Sequence, residues 1–304
     1  MVSSSVDPRT ASPRSAISLL HPEVHAGAEV TSEDRGRGKR LWIQSGADLT
    51  RHEGYADALR KRAQSIVGPD VGLRVEGMPP GSYAPGASGH ETFTEWTLTH
   101  HYGAIYIAER AVQAEREGFD GFIMPSFMDH GVALARAAAK IPVTGFTEAA
   151  LAVSRAFADP VAFVSPHQGH ARFLRRLLDS YGAARYRVAT LAPPLMPDEV
   201  IAGQVPRERV IAAFEATVRA LEPSEFEAVI PAEAFLATSL GTGLVQLADS
   251  AVPVLDGFAM GFAFVQALMA LSPIATMQTS RAGRYAHVDY TRASHVRRVL
   301  RDGM

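Results

Sequence analysis

The chain has 304 residues, with 30 basic against 32 acidic, a net charge of -2, 47% apolar residues and no cysteine. This balance excludes wholesale disorder and the basic excess of a nucleic-acid-binding protein, and the length suits one long domain or two ordinary ones. Absence of cysteine excludes disulfides, thiolate metal sites and thiol catalysis.

Residues 1–38 are rich in Ser, Pro, Gly and Arg. The patch Ala16–Leu20 is too short for a secretory signal, and Asp7, Glu23, Glu29, Glu33 and Asp34 are too many acids for a mitochondrial presequence. We read 1–38 as a mobile tail. The longest apolar run, Gly257–Leu271, falls short of the roughly 18–20 residues of a spanning helix and reads as a buried one. A cytoplasmic protein acting without a membrane or nucleic-acid partner is the expectation.

From Lys39 onward, short apolar runs alternate with helical periodicity. Strands are predicted at Arg40–Gln44, Gly72–Gly77, Gly121–Pro125, Val143–Phe146, Val161–Ser165, Tyr186–Leu191, Ala228–Pro231 and Val252–Leu255. Helices are predicted at Gly54–Ile66, Thr99–Glu117, Gly131–Ala139, Glu148–Phe157, His170–Tyr181, Pro206–Leu221, Leu236–Leu247 and Phe258–Leu271. Near-continuous apolar strands suit a parallel sheet covered on both faces, and the alternation gives a doubly wound α/β fold. Ligands then bind beyond the carboxyl ends of the strands. The Pro/Gly-rich segment Met78–His90 is either a lid over such a site or unstructured chain.

Two segments look alike. Phe119–Ser126 superposes on Phe226–Glu233: an aromatic–acid pair, an apolar strand, then a polar residue at its end. Each is followed by a helical stretch and a Pro-Val strand, Ile141–Val143 and Val252–Val254. A true repeat would put two related lobes face to face, with Ser126 and Glu233 on opposite walls of one cleft.

Several residues in order carry a family resemblance: His101-Tyr102, Glu115–Gly121, Pro125-Ser126-Phe127 with Asp129 and Gly131, Pro142–Ala150, Tyr181-Gly182, Glu227–Ile230, Val254–Gly257 and Thr279-Ser280-Arg281. From about Arg40 to Tyr285 the chain resembles the hydantoin racemase branch of the aspartate/glutamate/hydantoin racemase superfamily. The resemblance implies two pseudo-symmetric, doubly wound, flavodoxin-like lobes with parallel sheets and an active-site cleft between them. It assigns 39–146 plus 252–304 to the first lobe and 147–251 to the second. It also implies a homo-oligomer, a small-molecule substrate and no cofactor such as pyridoxal phosphate. In that family two cysteines face each other and move a proton to and from a carbon beside a carbonyl. Here the two positions fall on Ser126 and Glu233. The family's Asn-Pro-Asn-type loop is replaced by Gln44-Ser45-Gly46-Ala47, and its Thr-rich turn by Ser165–His170.

Glu233 follows an apolar strand and precedes an apolar helix, so it is the candidate general acid/base, or a helix-terminal glutamate stabilised by the macrodipole. Ser126 either stabilises a substrate oxyanion or caps the following helix, and no Gly-x-Ser-x-Gly elbow surrounds it. His130 is the candidate second acid/base, since imidazole titrates nearest working pH. Candidate substrate contacts are Gln44, Ser45, His101, Phe127, Thr147, Glu148, Ser165, His167 and Ala234. No metal site is assigned: His167 and His170 are three apart, His100 and His101 adjacent, and nothing has zinc-motif spacing. Gly241-Thr242-Gly243 is no phosphate loop.

These residues suggest a cofactor-independent isomerase or epimerase that transfers a proton at a carbon next to a carbonyl. A hydrolase or lyase in which Glu233 activates water, with or without a metal, is the alternative. A non-catalytic small-molecule binder, its cleft filled by Phe127 and Phe235, is the second.

Overall fold

The computed structural model describes residues 38–52, 54–240, 252–273, 277–286 and 290–302. All of the proposed tail except Gly38 lies outside the described residues, as do 241–247 of the helix predicted at Leu236–Leu247.

Among the described residues, seven strands form two parallel sheets. The first contains β1 (Arg40–Gln44), β2 (Gly72–Glu76), β3 (Gly121–Met124) and β4 (Val143–Gly145), in the order β2-β1-β3-β4. The second contains β5 (Val161–Ser165), β6 (Arg187–Thr190) and β7 (Ala228–Pro231), in the order β6-β5-β7. Val254 adds a parallel bridge to Val229 on the far side of β7. Strands β3, β4, β5 and β7 are buried at every position, as expected of parallel strands packed on both faces.

The two sheets share one topology. The first strand of each (β1, β5) is central, the second lies on one side, the third (β3, β7) on the other, and the fourth beyond it. The repeated segments Phe119–Ser126 and Phe226–Glu233 therefore occupy equivalent places. Ser126 and Glu233 each follow their strand's carboxyl end.

The helices include α1 (Tyr55–Val67), α2 (Thr97–Arg116), α3 (Val132–Ala138), α4 (Phe146–Ser154), α5 (Gln168–Ser180), α6 (Pro197–Ile201), α7 (Arg207–Arg219), α8 (Ala234–Leu240), α9 (Gly257–Leu271) and α10 (Tyr290–Asp302). A π-helical turn at Glu91–Glu95 precedes α2; this turn, α6 and α10 were not anticipated. Helix α4 starts two residues earlier than predicted. Asp129, from the turn after β3, accepts from Thr147 N (3.0 Å) and Glu148 N (2.9 Å) and so caps α4 from outside.

Packing redraws the lobe boundaries. Helix α4 was assigned to the second lobe, but Phe146 packs edge-to-face against Phe258 and Phe262 of α9, with ring centroids 5.3 and 5.9 Å apart. Helix α9 in turn packs on α1 and β3, which places α4 with the first lobe. Conversely, Val229 N donates to Pro253 O (3.0 Å) and Leu255 N to Val229 O (2.8 Å), which places 253–255 in the second sheet rather than the first lobe. One apolar core runs through both lobes, from Ile43 and Ile123 through Phe127 and Phe146 to Phe163 and Ile230. Among the described residues no helix is long and apolar enough to cross a membrane.

Candidate active site

In each sheet the chain leaves the central strand in opposite directions to reach its neighbours, and such switch points leave a crevice past the strand ends. A pocket of about 90 Å³ occupies that place. Residues following β1 and β3 (Ser45, Gly46, Ala47; Pro125, Ser126, Met128) form one side. His170 and Glu233, which follow β5 and β7, come from the other lobe. The segment 78–90 contributes Tyr83, Gly89 and His90, and α6 contributes Asp198, so the proposed lid segment does border the pocket.

Glu233 is held by a buried chain of hydrogen bonds. His170 Nε2 lies 2.9 Å from Glu233 Oε2, and Ser165 Oγ lies 2.6 Å from His170 Nδ1. With Nε2–H donating to the carboxylate, Nδ1 accepts from the serine hydroxyl. Ser165 is fully buried and His170 nearly so, which fixes the imidazole and therefore the carboxylate. His170 was not among the site residues expected from the sequence. Its position at the first turn of α5, after a strand end, was the available signal.

Ser126 is half-buried. Its Oγ accepts from Met128 N at 3.1 Å, so the hydroxyl proton remains to donate to a ligand. Tyr55, at the start of α1, lines the pocket; burial first, then the negative charge of Glu233, pushes its phenol pKa upward, so it stays a neutral donor. Tyr83 accepts from Asp48 N (3.0 Å), and burial raises its pKa to about 12. Neither tyrosine was anticipated; Tyr55 follows a loop and Tyr83 lies within one, and no local pattern gives the path of either loop.

The structure sends several expected contacts elsewhere. Gln44 is fully buried, and its amide donates to Gly77 O (2.9 Å) and Ser45 O (3.2 Å) and accepts from Trp42 Nε1 (3.2 Å). It has no spare group for a substrate. Ser45 does line the pocket, with Oγ accepting from Ala47 N (3.1 Å). Phe127 is a core residue between Phe146 and Phe163, and Phe235 is also buried in the core, so neither fills the cleft. Thr147 is buried and donates from Oγ1 to Phe127 O (2.6 Å). Glu148 pairs with Arg136 in a separate surface hollow. His101 is exposed, bonded to Thr97 O (2.7 Å), and borders a different groove. Ala234 is buried at the start of α8 and is not among the lining residues.

His130 lines the pocket but is not joined to Glu233. Its Nε2 donates to His100 O (2.7 Å), the ring stacks on His100 at 4.2 Å, and burial lowers its pKa to about 3. It is therefore neutral at working pH. His167 does not line the pocket; it packs edge-on against His90, centroids 4.0 Å apart. Burial lowers the pKa of His90 to about 2 and of His167 to about 4.

Fold and pocket define a two-lobed parallel α/β protein with a site built from the turns after the first and third strands of both sheets. The family model described as Asp/Glu/hydantoin racemase matches residues 53–265, more than half of the chain, and the chain belongs to that family. Among solved structures it is similar to the allantoin racemase from Klebsiella pneumoniae, with 24% identity, 83% of this chain and 94% of that one covered, and a TM-score of 0.61. An allantoin racemase from Pseudomonas fluorescens gives 19% identity, 82% and 97% coverage and a TM-score of 0.61. An aspartate racemase homologue from Pyrococcus horikoshii gives 13%, 76%, 99% and 0.50. These likenesses concern the fold. None of the curated proteins matches the chain.

Proposed function

We propose that the chain is a cofactor-independent enzyme that moves a proton at a carbon beside a carbonyl, with Glu233 as the general acid/base. The observation that carries this reading is a single pocket lined by Ser126 of one lobe and Glu233 of the other, with Glu233 held by buried His170. The carboxylate takes the proton of the C–H bond, and the bonding pair moves into the carbonyl to give an enolate. Ser126 and Tyr55 donate hydrogen bonds to the enolate oxygen, the place where negative charge develops. The protonated Glu233 then returns the proton to carbon. His170 occupies Oε2, so the other carboxylate oxygen carries the proton.

The pocket volume of about 90 Å³ is only a few times the roughly 30 Å³ share of one water and well below drug-sized sites. It suits a small carboxylate, amide or hydantoin-like compound. We further read the protein as a cytoplasmic homo-oligomer, as the family resemblance implies.

The test is solvent-deuterium exchange followed by NMR on a panel of hydantoins, amino acids and small 2-substituted carboxylic acids. Wild type incorporates deuterium at one substrate carbon, and Glu233→Gln slows this by about 100-fold or more, the usual scale of general acid/base catalysis. Exchange at an unchanged rate in Glu233→Gln sinks the assignment. Cleavage products without exchange move the chemistry to a hydrolase or lyase.

A further inference from the structure

We propose that His90, Glu95 and His167 bind one divalent transition-metal ion of the zinc class, joining the two lobes beside the cleft. One ring nitrogen from each histidine and a Glu95 carboxylate oxygen lie within 4.8 Å of one another. His90 Nε2 and Glu95 Oε1 are 3.7 Å apart. That is too long for a hydrogen bond. Two ligands each about 2.0–2.1 Å from a tetrahedral ion stand about 3.3 Å apart, so this pair needs a few tenths of an ångström of adjustment and a pair at the 4.8 Å limit about 1.5 Å, within reach of side-chain rotation.

Two further observations point to a ligand. Nε2 of His90 and Nε2 of His167 are both buried without a hydrogen-bond partner. A buried polar atom left in that state carries a desolvation cost that coordination removes. In addition, a Cβ on Gly169 would lie 2.0 Å from Glu95 Oε1, so the absence of a side chain there makes the space that the carboxylate occupies.

The backbone supports the same reading. His90 and Glu95 are five residues apart; on an α-helix they would point about 140° away from each other. His90 is instead the N-cap and Glu95 the last residue of a π-helical turn, in which Trp96 N bonds to Glu91 O at 3.2 Å, and the wider turn brings the i and i+5 positions together. His167 is the N-cap residue of α5 in the other lobe. Two imidazoles and one carboxylate form the ligand set of a three-coordinate zinc site with an open position. The half-exposed Glu95 side leaves that position facing solvent. An ion here would clamp the 78–96 segment onto α5 and fix His90, a wall of the pocket. This site stands on residues separate from Glu233 and Ser126 and does not depend on the reaction proposed for them.

The test uses the untagged full chain, stripped with chelator and dialysed, then loaded with Zn²⁺ or Co²⁺. We expect one ion per chain by elemental analysis after gel filtration, and visible Co²⁺ absorption of a four- or five-coordinate site. His90→Ala, His167→Ala and Glu95→Gln weaken Zn²⁺ affinity about 100-fold or more, beyond the loss seen for outer-shell changes. Gly169→Ala, whose Cβ meets the flexible end of Glu95 and lies 3.3 Å from His167 Cε1, crowds two of the three ligands and weakens binding with the melting temperature of the metal-free chain unchanged. Glu233→Gln and His101→Ala bind as wild type. Retention of less than about a tenth of an equivalent by wild type, or wild-type affinity in both His90→Ala and His167→Ala, overturns the proposal.

Discussion

Gly145 ends β4 with φ -127° and ψ 177°, a conformation open to any residue, so its replacement tests packing alone. A Cβ there would lie 2.2 Å from Asp129 Oδ1 and 3.0 Å from Val132 Cγ2. The Asp129 carboxyl cannot simply swing aside. It accepts from Thr147 N, Glu148 N and Tyr181 Oη at 2.9–3.0 Å, on a backbone held at φ 42°. Gly145→Ala must therefore break one or two of these bonds and leave buried donors at the start of α4 unsatisfied. At about 1–3 kcal/mol for each such group, the cost is about 3 kcal/mol. For a chain of this size that is roughly 5 °C in melting temperature.

The mechanism is checked by a double-mutant cycle measured by calorimetry. Asp129→Ala removes the same bonds and costs a similar amount. In Asp129→Ala/Gly145→Ala the new methyl meets no carboxyl, so the second change adds little, and the cycle shows a coupling of at least about 2 kcal/mol. Independent sites add within about 0.5 kcal/mol. Additivity within that margin refutes the argument that Gly145 is required by Asp129.

The other predictions rest on the cleft. His170→Phe keeps a buried ring but removes the donor to Glu233; the exchange rate falls about 10–100-fold with KM within about twofold, in single-turnover and steady-state assays. His130 is held neutral in the folded state, its pKa depressed to about 3, whereas the unfolded chain protonates it near pH 6.5. Its contribution to stability is therefore present above pH 6.5 and is lost as pH falls toward 3, at about 1.4 kcal/mol per pH unit. A melting-temperature profile of His130→Gln that is as steep as wild type between pH 6.5 and 4 refutes this. With one base on one wall, deuterium enters the substrate carbon faster than optical rotation is lost; equal rates in a polarimetric assay oppose the one-base scheme.

Much of the architecture was legible because the parallel strands read as unbroken apolar runs, as in Leu41–Ile43 and Val161–Val164, and because the repeated segments preserve their order. Glu233 and Ser126 were legible as polar residues directly after such runs. What failed was the assignment of neighbours. His130 is close to Ser126 in sequence, yet its ring nitrogen is taken by His100 O across α2. His170 reaches Glu233 only because β5 and β7 are adjacent, a fact of sheet order. Gln44 looked like a loop ligand, but every position of β1 after Arg40 is buried, so its amide serves the neighbouring strand and Trp42. Phe127 follows Ser126 in the turn and points the other way, into the core between the lobes. The π-turn at Glu91–Glu95 carries no apolar period that could announce it.

The two walls of the cleft are chemically unlike, and this bears on how the site handles a proton. A pair of identical groups can exchange roles, each taking a proton from one face of a carbon and returning it to the other. Ser126 cannot take the base role beside a carboxylate, because a hydroxyl is far the weaker base. Its Oγ is already an acceptor for Met128 N, which turns the hydroxyl proton into a fixed donor. Tyr55 is a donor for the same reason of environment, its phenol kept neutral by burial and by Glu233. The proposed division of labour follows: donors address the carbonyl oxygen while one carboxylate addresses the carbon, and His170 with Ser165 behind it sets the direction from which the proton leaves and returns.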